Sequence, residues 1–373
     1  MAMPDEANDE EMRVDKPFNR ILIIKMRFHG DMLLTTPVIS TLKRRYPDAK
    51  IDMLLYQDTI PILSENPDIN AFYGLKNKGS KTGEKISNFL ETVKSLRGNH
   101  YDLIVNLTDQ WMVALLVRML PAKVKLTQDY AHRQSNFWKK SFTHLVPRQM
   151  TNVVESNLST LAPLGICPDD WFAETTMYYQ PEHREAIQKR LNAAGVSGPY
   201  VVIQPTARQL FKCWDDEKFS QVIDALADRG YPVVLTSGPG KEDLDCIEHI
   251  AAGCRQRPVT ALAGKTSFPE LGALIDGASL FIGVDSAPMH IAAAVKTPIV
   301  CLFGATDHIF WRPWSQQAIQ FWAGDYAPMP PREERNRNTR YLSVIPAADV
   351  IAATEKLLPQ PVSTETASMD NGL

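Results

Sequence analysis

Cysteine is sparse and dispersed, with five residues among 373, at Cys167, Cys213, Cys246, Cys254 and Cys301, and no Cys-x-x-Cys spacing. An odd, scattered set supports neither a disulfide framework nor a zinc site, and it fits a reducing compartment. Long hydrophobic runs are also missing, because no apolar stretch approaches the roughly 18–20 residues that a membrane-spanning helix needs. Residues 1–17 are acidic and polar and the first apolar run starts at Ile21, so no secretory leader is expected. Basic excess is absent too: 40 Lys and Arg against 43 Asp and Glu leave a formal net charge of −3, and no nucleic-acid partner is expected. Finally, there is no Gly-x-Gly-x-x-Gly fingerprint. Gly264-Lys265-Thr266 resembles the end of a P-loop, but Val259 stands where that motif requires Gly, which disfavours both hydride transfer and ATP hydrolysis.

What is present is a globular composition, 44% hydrophobic, in a chain long enough for two ordinary domains. Apolar runs of strand length at 20–25, 51–56, 71–74, 101–107 and 124–127 alternate with helical patterns at 37–46, 60–65, 84–97 and 110–120. After a helix at 153–164, turn-forming residues between Gly165 and Pro181 mark a hinge, and the pattern restarts. Strands are expected at 200–204, 232–237, 259–262, 279–285 and 298–304, with helices near 218–229, 242–252, 269–276 and 288–295. Repeated strand-helix order implies parallel, doubly wound sheets, hence an α/β protein of two Rossmann-like domains. The expected division is 1–17 as a disordered segment, 18–165, a hinge at 166–181, 182–340, a helix at 341–358 that returns to the first half, and a disordered tail at 359–373. The aromatic set Phe310, Trp311, Trp314, Phe321 and Trp322 is expected to pack rather than to hold a ring ligand.

Two passages carry chemistry. Phe281-Ile-Gly-Val-Asp285-Ser-Ala-Pro-Met-His290 runs from an apolar strand through a small-residue turn into a helix, where free N–H groups and the helix dipole favour a phosphate. Arg20–Lys25 opens the chain in the same way, with the turn Met26-Arg-Phe-His-Gly30 leading to Asp31 as a helix cap. A lone carboxylate facing a phosphate-binding helix start suits glycosyl transfer from a nucleotide-diphosphate sugar, which needs a base for the acceptor and partners for the departing diphosphate.

Lys25-Met-Arg-Phe-His-Gly-Asp-Met-Leu-Leu-Thr-Thr-Pro37 and Gly283-Val-Asp-Ser-Ala-Pro-Met-His290 resemble the two signature regions of glycosyltransferase family 9, the bacterial heptosyltransferases of lipopolysaccharide core assembly. The resemblance spans about residues 18–358. Leu107-Thr-Asp-Gln-Trp111, Gln204-Pro-Thr-Ala-Arg208 and the segment 304–314 resemble the branch of that family that adds a side-branch heptose to the second inner-core heptose. The resemblance implies a GT-B architecture, two Rossmann-like domains facing across a cleft. It also implies an inverting glycosyltransferase that uses ADP-heptose as donor substrate, with no cofactor and no metal, peripheral at the cytoplasmic face of the inner membrane and acting on a lipopolysaccharide inner-core acceptor.

Carried over residue by residue, Asp31 is the expected base, with a plain helix cap as the alternative. Thr206, Lys212, Glu242, Asp285, Ser286, Ala287 and His290 are the expected donor-binding residues. Lys212 would meet the diphosphate and Glu242 the ribose, although an acid in a helix's first turn is also simply favourable there. Ala287 stands where family members often carry Gly. Between Arg118 and Arg148 there are seven Lys or Arg and one acid, Asp129, interleaved with Tyr130, Phe137, Trp138 and Phe142. His132, Arg133, Lys139 and Lys140 are the candidates there for an anionic acceptor or membrane surface, against an ordinary solvated face. A different inner-core acceptor position, or a non-catalytic nucleotide-binding scaffold of envelope assembly, are the competing functions.

Overall fold

The structure, a computed structural model, describes residues 17–76 and 82–359. The two segments expected to be disordered therefore lie outside the described residues, apart from Pro17 and Pro359.

The first half contains β1 (Arg20–Lys25), α1 (His29–Leu33), α2 (Thr36–Arg45), β2 (Lys50–Tyr56), β3 (Ile69–Leu75) and α3 (Thr82–Arg97). It continues with β4 (Leu103–Asn106), α4 (Trp111–Met119), β5 (Val124–Asp129), α5 (Asn136–Lys139), β6 (His144–Pro147) and α6 (Val153–Ser159). After the linker come α7 (Pro181–Ala193), β7 (Val201–Gln204), α8 (Asp216–Asp228), β8 (Val233–Leu235), α9 (Lys241–Ala252) and α10 (Phe268–Asp276). The second half ends with β9 (Leu280–Val284), α11 (Ala287–Ala294), β10 (Ile299–Phe303), β11 (Ala318–Trp322) and α12 (Ala347–Leu357).

The first sheet has six parallel strands in the order β3-β2-β1-β4-β5-β6, and the second has five in the order β11-β10-β9-β7-β8. Both place the first strand of their half where the strand order reverses, so the loops after β1 and β7 open at the crevice such sheets use for ligands. The architecture is thus α/β with two Rossmann-like sheets.

Alternation along single strands explains how the two sheets share a core. In β1, Ile21 and Ile23 point into the layer between the halves while Leu22 and Ile24 pack under α3 and α4. In β10, Ile299, Cys301 and Phe303 face the inner layer and Val300 and Leu302 the outer one. One apolar cluster consequently runs from β1, α1 and α2 through α6 to α10 and α11 without a break. Phe310 is buried in it with Trp311 edge-on at 5.1 Å, and Trp314 and Trp322 pack at its margin, so packing is the role of most of this aromatic set.

Several expectations are corrected. The run 259–262 is not a strand: only Val259 pairs, with Val234, between Pro258, which has no N–H to give, and a turn closed by Gly264 at φ +67°. The second sheet thereby loses the strand that would match β3. Residues 57–62 form a 3₁₀ helix containing Pro61, where an α-helix near 60–65 was expected. The last helix does not cross back: α12 buries Val350 and Ala353 against the outer face of the second sheet, and Trp214 Nε1 donates to Ile345 O at 3.1 Å just before it. The first half is instead reached from the other side, where Val153 N of α6 donates to Phe310 O at 3.1 Å. The linker is pinned to α2, Phe172 N and Thr176 N donating to Thr41 Oγ1 and Thr36 Oγ1 at 3.0 and 2.9 Å.

Candidate functional site

β1 ends at Lys25, and the turn that follows starts α1 at His29, so Asp31 is the third residue of that helix rather than its cap. From there its Oδ2 accepts the Phe28 N–H at 3.3 Å, serving one of the free N–H groups at the helix start. The side chain is buried and makes no ion pair among the described residues.

The other signature arrives from the opposite half. β9 delivers Asp285, Ser286 ends in extended backbone before the helix, and α11 begins at Ala287. Helices α1 and α11 touch: a Cβ on Gly30 would stand 2.9 Å from His290 Cδ2 and 3.5 Å from Ala287 Cα. Only glycine permits this approach, and it explains where Ala287 goes, against Gly30. Two more contacts cross here. The Arg208 guanidinium lies 3.5 Å from the centre of the Phe28 ring, and His29 stacks on Phe268 at 4.6 Å.

Lys212, in a 3₁₀ turn after β7, reaches Asp285 with Nζ to Oδ2 at 2.7 Å. His290 is buried and its Nδ1 has no hydrogen-bond partner among the described residues. Burial drives its pKa down to about 4, against the opposing pull of Asp285 and Asp31 and with a further push from Lys212. It is therefore a neutral imidazole with a ring nitrogen unspent. Asp31, Lys212, Asp285 and His290 thus form one group within electrostatic reach.

Thr206 is buried after β7, with Gln204 Nε2 donating to its Oγ1 at 2.9 Å. Asp243 lies close by, its carboxyl raised by burial first and also by Glu242, against the opposing influence of Thr206. Glu242 itself stands exposed in the first turn of α9. Ser286 Oγ turns back to Val284 O at 3.3 Å.

Of the basic candidates, His132 and Arg133 gather around Asp109, and Lys139 and Lys140 stand exposed at the end of α5. Asp109 Oδ1 accepts from Arg27 Nη2 at 2.9 Å, its Oδ2 meets His132 Nε2 at 3.0 Å, and its carbonyl accepts from Arg133 Nε. Burial would raise this carboxyl, but Arg27, its own backbone N–H and His132 together hold it below the usual carboxylate range. Arg27 and Asp109 escaped the sequence reading, though both sit inside quoted motifs; what was missing was the pairing across 82 residues. Lys25 also escaped it, and the one available signal was a lysine closing an otherwise apolar strand.

Comparison with known proteins bears on the family and the fold. The profile of glycosyltransferase family 9 (heptosyltransferase) matches residues 89–342. The chain is 71% identical over 334 residues to lipopolysaccharide heptosyltransferase 3 of Escherichia coli, covering 90% of this chain and 98% of that protein. Among solved structures, a family 9 glycosyltransferase from Veillonella parvula superposes with a TM-score of 0.80 at 22% identity, covering 93% of this chain and 99% of that one. An E. coli heptosyltransferase solved with ADP gives a TM-score of 0.71 at 19% identity, covering 91% of this chain and 100% of that one. At those identities the two structures establish the shared fold. The chain belongs to glycosyltransferase family 9, the heptosyltransferases.

Proposed function

We propose that the protein transfers L-glycero-D-manno-heptose from ADP-heptose to the second heptose of the lipopolysaccharide inner core, with inversion at the anomeric carbon. The observation that carries this reading is the unpaired, buried Asp31 set against the start of α11, where Asp285, Lys212 and His290 gather. The acceptor hydroxyl gives its proton to the Asp31 carboxylate as its oxygen bonds to the anomeric carbon. The bond from that carbon to the diphosphate oxygen breaks, and the electron pair leaves on ADP. Lys212 and the N–H groups at the start of α11 offset the charge gathering there, so the step as drawn calls on no metal ion.

The acceptor position rests on the 71% identity to the E. coli heptosyltransferase 3. Peripheral attachment to the cytoplasmic face of the inner membrane is part of the same reading. It is supported by Trp111, Met112 and Leu115 lying exposed on α4 beside Phe137, with Lys139 and Lys140 exposed nearby on α5. Among the described residues no helix is long and apolar enough to cross a membrane.

The test is ADP release from ADP-heptose, with mass analysis of the product, on core acceptors that end at the second heptose. A gain of one heptose is expected, and Asp31→Ala is expected to lower kcat by about 10²–10⁴ while ADP still binds. No gain on that acceptor, with transfer to a shorter core, would move the acceptor position.

A further inference from the structure

Lys25 is an unusual residue to find where it lies. It ends a strand in which the four residues before it, Ile21 to Ile24, are apolar and buried, and it is itself only 5% exposed. An ammonium in such a place is costly unless it is compensated. Its Nζ donates to Asn157 Oδ1 at 3.3 Å, and no carboxylate reaches ion-pair distance among the described residues. Asn157, buried on α6, in turn donates from Nδ2 to Leu34 O at 2.9 Å. Leu34 is the residue that ends α1, the helix carrying Asp31. Lys25 and Asn157 therefore brace the base-bearing helix from behind.

The charges around Lys25 are Asp31 and Asp109, which favour its ammonium, and Arg27 and Arg148, which oppose it; burial outweighs them all and brings it down to about 8. At neutral pH it is still mainly cationic. The other cations near the cleft are engaged elsewhere: Lys212 pairs with Asp285, Arg27 with Asp109, Arg148 lies over Tyr130 and Phe310, and Arg208 lies over the Phe28 ring. His290, which faces Asp31 from α11, is neutral. Lys25 is thus a buried positive charge within electrostatic reach of Asp31 that has no carboxylate partner of its own among the described residues.

We propose that Lys25 is a positioning residue for the Asp31 base, bracing α1 through Asn157 and supplying the positive charge that keeps the Asp31 carboxylate ready for the acceptor proton. The proposal rests on Asp31 being the base. Once the halves close on substrate and water leaves, the value of this charge rises, because the medium between the two groups screens less.

The experiment is the pH profile of kcat/KM for Lys25→Met and Asn157→Ala beside wild type, with ADP affinity and circular dichroism measured on each. Lys25→Met is expected to move the acid limb upward by roughly one pH unit, so that below it the rate is about tenfold under wild type, while ADP affinity is retained. Asn157→Ala removes the same hydrogen bond but keeps the charge, and it is expected to lower the rate without moving the limb. Where Met is not tolerated in the fold, Lys25→Gln serves the same comparison. An acid limb unmoved in a folded, ADP-binding Lys25 variant overturns the proposal, as does an equal shift in Asn157→Ala. Asp31→Asn separates the two readings. If it turns over like wild type, the base assignment itself fails; if it is inactive while the Lys25 variant keeps the wild-type limb, only the role of Lys25 falls.

Discussion

The passages β1–α1 and β9–α11 come from different halves and each brings an aspartate to the cleft, but the aspartates are treated differently. Asp285 is met by Lys212 at 2.7 Å, whereas Asp31 accepts one backbone N–H and makes no ion pair among the described residues. A paired carboxylate orders a cation that can then meet a phosphate. An unpaired one keeps its lone pairs for a proton. Two strand-turn-helix passages have thus been turned to two tasks, and the difference lies in the partner rather than in the residue.

The largest way to break that contrast is to make the second aspartate as unpaired as the first. Lys212→Ala is expected to lower kcat by about 10²–10³ through the lost charge on the leaving diphosphate. It should also destabilise the fold by roughly 1–3 kcal/mol, because Asp285 remains buried. Steady-state kinetics and urea denaturation read the two effects separately. A variant with wild-type kcat would remove Lys212 from the donor site.

A smaller effect sharpens the part played by His290. Its folded-state pKa, about 4, lies below the ordinary 6.5, so between those values the unfolded chain binds a proton that the folded chain refuses. Its contribution is present above about pH 6.5 and is lost as the pH falls toward 4, on the order of 3 kcal/mol in all. Denaturation midpoints across that window should therefore fall more steeply for wild type than for His290→Gln. Parallel curves would mean that the imidazole is not held neutral.

The smallest expected effect concerns the contact between the halves. Gly30→Ala places a methyl 2.9 Å from His290 Cδ2, and relieving that crowding should cost roughly 1–3 kcal/mol. Small-angle scattering is expected to give a larger radius for the variant, with reduced turnover. An unchanged radius and rate would mean that the α1–α11 contact is not needed for activity.

Much of the architecture was legible because its strands are continuous apolar runs such as Ile21–Ile24 and Leu280–Val284, which only burial on both faces explains. Two of the edge strands, β6 and β11, were not. The strand β11 is only partly buried along its length and β6 ends in proline, so neither has the composition of an interior strand. Conversely the run 259–262 suggested a strand, yet Pro258 before it and the turn at Gly264 after it leave a single bridge. At the site, Asp31, Asp285 and His290 were readable because each lies in a short local motif. The bracing of α1 was not, since Lys25 and Asn157 are 132 residues apart and nothing local announces their meeting. The cluster at Asp109 was hidden for the same reason, its cations coming from the turn after β1 and the loop after β5.

The approach at Gly30 also has a meaning for how such a sequence can drift. Because a side chain on Gly30 and the His290 ring would occupy the same space across the gap between the halves, the size allowed at either one is set by the other. A larger residue at position 30 becomes acceptable only alongside a smaller one at 290, so these two sites should vary together in related chains although more than 250 positions separate them.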